Sequence, residues 1–296
     1  MSTITQREEF LFLYDVTNAN PNGDPLDENK PRLDEETGYN IVTDVRLKRT
    51  VRDYFSDYQG HDGSAEKDIF VRTKASAKKD GIQDGKARVA DFKGDRQAIL
   101  ERCIDIRLFG GVLPMDKNSI TLTGPVQLKM GRSLHRVALK HLRGTGAFAS
   151  NDGAKQRTFR EEYILPYSLI CFYGVINEHA ARDTGLSADD VDQFYNALWE
   201  GTRNLLSRSK MGHMPRLLLR VKHAEANFFI GDLDKYLVLQ KKEGQASPKD
   251  DEEIRDIREL VLDLSAVTRV LDEAGDRVAE RHLRQDTFTE VCGWNP

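Results

Sequence analysis

Hydrophobic positions along this chain fall into two dense blocks separated by polar and periodic stretches. Phe10-Leu-Phe-Leu-Tyr14 and Val16 are apolar at successive positions, broken only by Asp15. That is the pattern of a strand covered on both faces. Tyr163 to Ile176 is the second block and predicts another buried strand. Asn18-Ala-Asn-Pro-Asn-Gly-Asp-Pro25 supplies turn-forming residues and ends the first strand. Thr43-Asp44 then offers an N-cap. Val45, Leu47, Val51, Tyr54 and Phe55 mark one face of a helix, and Arg46, Lys48, Arg49 and Arg52 mark the other.

Downstream, apolar spacing predicts a helix over Gln97 to Phe109, closed by Gly110 and Gly111. Alternation predicts a strand over Ile120 to Leu128, with Pro125 placing it near an edge or a bulge. Asn151-Asp-Gly153 within a glycine-rich stretch predicts a projecting hairpin over 140–160. Thr184 to Leu206 reads as a helix with Ser187 and Asp190 as a capping box, and Leu217 to Val221 as a strand. Residues 244–251 read as a loop before an acidic tail that adds helix and strand.

Removing the insertions leaves βαββαβ, an α/β (α+β) plan of the ferredoxin-like or RRM-like kind. Residues 1–55, 101–139 and 161–296 form its discontinuous body. Residues 56–100 are polar, with few apolar clusters, and read as an inserted, loosely structured lobe. The aromatic signature with which ordinary RRM sheets stack bases is absent, which argues against binding on an open sheet face.

Charge changes the picture. The net value of −4 resolves into −6 over residues 1–40, +10 over 41–160 and −8 over 161–296. No acidic residue occurs from Lys117 to Asn151. A positive middle between acidic ends is the footprint expected for a polyanion such as nucleic acid. Three cysteines in no paired spacing fit a reducing compartment, and no apolar run is long enough for a membrane span. The expectation is a cytoplasmic protein.

Phosphate-loop, dinucleotide-binding, zinc-protease and serine-hydrolase strings are all missing, and no two histidines stand four apart. Asn18 to Asn29 echoes a calcium loop but has Asn at its first and twelfth positions. Neither a metal nor a cofactor is expected.

Two long strings, YDVTNANPNGDP (14–25) and RLDEETGYNIVTDVRLKRTVRDY (32–54), carry a family resemblance. Further strings are IDIRLFGG (104–111), ITLTGPVQLKMGRSLHR (120–136), LPYSLICFYGVIN (165–177) and LWEGTRNLLSRSKMGHMPRLLLRV (198–221). They resemble the backbone subunit of type I CRISPR Cascade complexes, the Cas-seven family of the RAMP superfamily, most closely its type I-B branch and next its type I-C branch.

The resemblance implies a modified RRM palm, an inserted fingers lobe over 56–100 and a β-hairpin thumb over 140–160. It implies copies stacked head to tail on a CRISPR guide RNA, presenting it to a target DNA strand beside handle-binding, large and small subunits. It also implies RNA contacts at Thr43, Arg46, Lys48, Arg49 and Arg52, at Lys129, Gly131, Arg132, Ser133 and His135, and at Ser207, Arg208, Ser209 and Lys210. No catalytic residue is expected. The rival reading is a RAMP-type endoribonuclease using Asp24, Asp27 or Asp34 in the loop after the first strand.

Overall fold

The computed structural model describes residues 2–64, 66–75, 81–115, 119–149, 157–244, 248 and 250–295. Its centre is a strand apolar on both faces, β1 (Glu8–Ala19). β1 lies antiparallel between β8 (Arg157–Ile176) and β9 (His213–His223), with Phe12 opposite Phe172 and Leu218. The sheet continues on one side to β12 (Val278–Gln285). On the other side it continues to β6 (Gly131–Arg136) and β2 (Tyr39–Val42), giving the order β12–β9–β1–β8–β6–β2. The short β5 (Val126–Leu128) also pairs with β8.

Alternation along β1 sends successive side chains to opposite layers. Phe10, Phe12, Tyr14 and Val16 pack with Val51 and Phe55 of α1 (Asp44–Tyr58) and with Phe194 and Leu198 of α6 (Ala188–Arg203). Leu11 and Leu13 pack on the other face with Leu217, Leu219, Leu233, Ile257, Leu262 and Leu271. The acidic C-terminal segment therefore covers the face of the sheet opposite α1 and α6. That segment includes β10 (Val238–Lys241), its partner β11 (Leu260–Asp263) and α7 (Ser265–Ala274).

Several predicted elements are divided by local geometry. The helix expected over Gln97 to Phe109 is two, α3 (Arg96–Arg102) and α4 (Ile104–Phe109), because Cys103 is extended and bridges to Asp68. The strand expected over Ile120 to Leu128 breaks at Gly124-Pro125. A Cβ at Gly124 would stand 2.0 Å from the carbonyl carbon of Phe109. Its first half, β4 (Ser119–Thr123), pairs with β3 (Gly110–Pro114) instead of joining the sheet. The helix expected over Thr184 to Leu206 is the shorter α6, and a separate α5 (Glu178–Thr184) precedes it, ended by Gly185 at φ +74°. Ser187 and Asp190 do form the capping box of α6.

The lobe expected to be loose has a core of its own. Phe70, Val89 of α2 (Gly85–Ala90), Phe92, Ile99 and Leu100 are buried together with Ile106, Leu113 and Leu122, so the cluster runs past residue 100. Buried Arg88 holds it from within, donating to Asp68 at 2.6 Å and to the carbonyls of Ile69 and Phe70. Residues 157–164 of β8 pair only with β7 (Lys140–Ala149), forming a two-stranded ribbon. Its connection at 150–156 lies outside the described residues.

Candidate nucleic-acid interface

Three segments meet beside α1: the loop after β1, the turn after α6, and α1 itself. Lys210, in the turn, reaches back to that loop, donating to the carbonyl of Asn20 and, at 2.9 Å, to that of Pro21. Thr43 does not cap α1 with its side chain. Its hydroxyl and its backbone N–H both donate to Asn22 Oδ1 at 2.9 Å, fastening the loop to the helix start. Asn20 donates in turn to the carbonyl of Asn29 at 2.7 Å.

Arg46 and Lys210 line one cleft of about 460 Å3, with Ser207 and Ser209 on its rim. Burial, helped by the charge of Arg46, pulls the Lys210 ammonium down to about 7. Burial also lowers Arg46, and Asp53 acts on it only at a distance, being bound to Arg49 at 2.6 Å. Among the described residues the Arg46 side chain makes no ion pair or hydrogen bond, and Lys210 donates only to neutral carbonyls. Two half-buried cations with no carboxylate bound to them, in a cleft that Asp53 and Asp57 also line, form a site that an anion would stabilise.

The other cations of the interface predicted from sequence are held by acids. Lys48 pairs with Asp44 at 2.8 Å and lies over the Phe109 ring with only 14 % of its side chain exposed, so it does not project from α1. Arg52 donates to buried Asp105 at 3.1 Å, and Asp105 also accepts from the N–H groups of Phe70 and Val71, so Arg52 ties α1 to the lobe. Lys129 stands between Asp232 and Asp234. Arg132 pairs with Asp34 at 2.8 Å. Arg208 pairs with Glu162 of the ribbon at 3.0 Å. Lys129, Arg132, Arg208 and Arg49 remain on the surface, where such pairs are weak and a polyanion competes with them.

Two predicted contacts are corrected by burial. Ser133 and His135 are on the inward parity of β6. Ser133 Oγ accepts from Asn40 N–H at 2.9 Å and donates to the His135 carbonyl at 2.7 Å. His135 Nε2 accepts from Leu169 N–H at 3.2 Å, and its ring stacks on Tyr167. Both side chains are engaged inside the protein. Gly131 is a packing residue, since a Cβ there would lie 2.3 Å from the Phe172 ring. Sequence reasoning missed Asn22, Asp105 and Glu162, whose partners stand 21 to 53 positions away.

The acids of the rival reading are also engaged. Asp24 pairs with Arg32 at 2.6 Å and caps Leu26 N–H, Asp27 pairs with Lys30, and Asp34 pairs with Arg132. Among the described residues no three His, Cys, Asp or Glu side chains gather as a metal site. No described helix is long and apolar enough to cross a membrane. A larger cleft, about 520 Å3, lies between α3 and the start of α6. Its Arg107 is clamped on Asp190 and on the carbonyls of Leu100 and Glu101.

Comparison with known proteins places these features in context. The family model described as CRISPR-associated protein Cas7 matches residues 6–265. A protein of that description from Haloferax volcanii is 30% identical over 312 aligned positions, covering 98% of this chain and 89% of the relative. Among solved structures, a chain of a CRISPR RNA-guided surveillance complex in a pre-nicking state superposes with a TM-score of 0.55. Its identity is 12%, with 98% of this chain and 96% of that one covered. A chain of a second CRISPR RNA-guided surveillance complex superposes at 0.51 with 14% identity, covering 98% and 95%.

Proposed function

The chain belongs to the Cas7 family of CRISPR-associated proteins, and from that premise we propose that it is the RNA-binding backbone subunit of a CRISPR RNA-guided surveillance complex. In this reading the sheet with α1 and α6 is an RRM-like palm, the lobe with its own core is the fingers, and the β7–β8 ribbon is the thumb. Copies stack head to tail along one guide RNA in the cytoplasm. Together with handle-binding, large and small Cascade subunits, they present it to a target DNA strand. The strings of the sequence favour type I-B, with type I-C second.

The Arg46–Lys210 cleft carries this reading. Guide recognition by such a subunit needs phosphate contacts that ignore sequence, because base pairing does the reading. A pair of desolvated cations beside a loop pinned by Thr43 and Asn22 supplies a fixed phosphate seat. The exposed cations Arg49, Arg132 and Arg208 add screened attraction around it. The subunit is non-catalytic in this reading, since Asp24, Asp27 and Asp34 are each neutralised by a neighbouring Lys or Arg.

The test is the mass of particles assembled from purified subunit on guides of increasing length. Stepwise addition of one subunit per fixed length of RNA, with cooperative binding, is the expected result. Deleting residues 144–156 should leave the sheet folded, because the only strand that residues 157–164 pair with is β7 and their other links are exposed side-chain contacts such as Glu162–Arg208 and Tyr163–Glu28, and should reduce cooperativity. Binding without regular multiplicity would indicate a free-standing RNA chaperone. Cleavage of labelled target RNA in magnesium would favour the endoribonuclease.

A further inference from the structure

The cleft that holds Arg46 and Lys210 has a second, chemically different end. Tyr54 and Tyr58 line it one helical turn apart on α1, their rings stacked at 5.4 Å with 22° between planes. Tyr54 is 8% exposed and its hydroxyl oxygen accepts from Gln59 and Asn196, so it is fixed. Tyr58 is 52% exposed and stacks only inward. Beside it stand Leu206, 71% exposed, and Asp57, which forms no ion pair among the described residues.

We propose that this end of the cleft is a nucleobase subsite, in which one base of the bound RNA stacks on the outer face of Tyr58 while its strand's phosphate sits at Arg46 and Lys210. The inference rests on the RNA-binding reading and adds to it a contact with a base. Twelve residues of α1 put Tyr58 about 18 Å along the helix axis from Arg46, so the stacked base and the seated phosphate belong to different nucleotides of one strand. Tyr54 supports Tyr58 from behind, so a stacked base completes a three-layer pile on a ring that is already ordered. Leu206 offers apolar surface to the base's edge, and the Asp57 carboxylate offers an acceptor for an exocyclic amine. Base stacking on an aromatic ring tolerates any sequence, as a guide-binding subunit requires. A cleft of about 460 Å3 lies in the range that encloses small ligands.

The experiment uses the full chain and single-stranded RNA carrying 2-aminopurine at one position, moved stepwise through a series of oligonucleotides. Wild-type protein should change the fluorescence of 2-aminopurine strongly at a recurring position. Tyr58→Ala should abolish that change and weaken binding roughly tenfold, with the salt dependence unaltered because no phosphate contact is lost. Tyr58→Phe should restore both. Wild-type affinity and fluorescence in Tyr58→Ala would overturn the subsite. So would unchanged RNA binding accompanied by lost self-assembly, which would make Tyr58 a protein contact. Failure of the wild type to bind RNA would instead remove the reading on which the subsite rests; with binding intact, Arg46→Ala should flatten the salt dependence by about one unit and keep the fluorescence change that depends on Tyr58.

Discussion

Arg46 on α1 and Lys210 in the turn after α6 face one cleft with no carboxylate bound to either. Most of the cations that the sequence places around them carry a bound acid. The free subunit thus holds its positive charge in two forms: a small desolvated pair, and a wider set of exposed ion pairs.

Arg46→Ala should weaken RNA binding and flatten the dependence of log affinity on log salt by about one unit. Lys48→Ala should leave both nearly unchanged, because Lys48 is held by Asp44 against Phe109. Its effect should instead be a loss of about 0.5 kcal/mol in stability. Filter binding across a salt series distinguishes the two, and equal effects of both substitutions would refute the distinction.

Lys210 makes binding pH-dependent. With its ammonium at about 7 in the folded chain, a phosphate seated beside it favours protonation, so RNA binding takes up a proton. Affinity should fall as pH rises from 7 to 9, and Lys210→Arg should remove that slope. The unliganded chain should behave oppositely. Between about 7 and the ordinary 10.5, the unfolded state holds a proton that the folded state has released, so stability rises with pH across that window. Titrations of affinity and of denaturant midpoint should show slopes of opposite sign.

Ser133→Ala removes the acceptor of the buried Asn40 N–H and should cost about 1–3 kcal/mol of stability. Gly131→Ala drives a methyl group against the fully buried Phe172 ring, with a similar cost of about 1–3 kcal/mol. In both, the RNA affinity of the folded fraction should match wild type. An affinity loss at unchanged melting temperature would restore these residues to the interface.

Glu162 accepts from Arg208 of the turn and from Arg160 of its own strand. Glu162→Gln removes one negative charge and releases both guanidinium groups. Exposed pairs of this kind contribute about 0–1 kcal/mol, so folding should hardly change, whereas RNA affinity should rise roughly two- to fivefold at moderate salt. Weaker binding would mean that the pair positions the ribbon for RNA instead of competing with it.

Much of the architecture was legible along the chain. Consecutive apolar residues in β1 and β8 announce strands covered on both sides, and Ser187 with Asp190 announces a helix start, because strand alternation and end-capping are local rules. The segregation of charge and the long family strings are likewise properties of sequence alone. Tertiary structure decided which of those charges are available. Arg132 meets Asp34 across 98 positions and Lys129 meets Asp234 across 105. No local periodicity encodes such encounters, since they exist only when two distant segments are brought to the same edge of the sheet. Ser133 and His135 turn inward through strand parity, and that face becomes interior only once neighbouring segments have packed over it. Arg46 and Lys210 differ from the other cations of the predicted interface for the same reason: the fold binds each of those to a carboxylate, and binds Lys210 only to backbone carbonyls and Arg46 to no acid among the described residues.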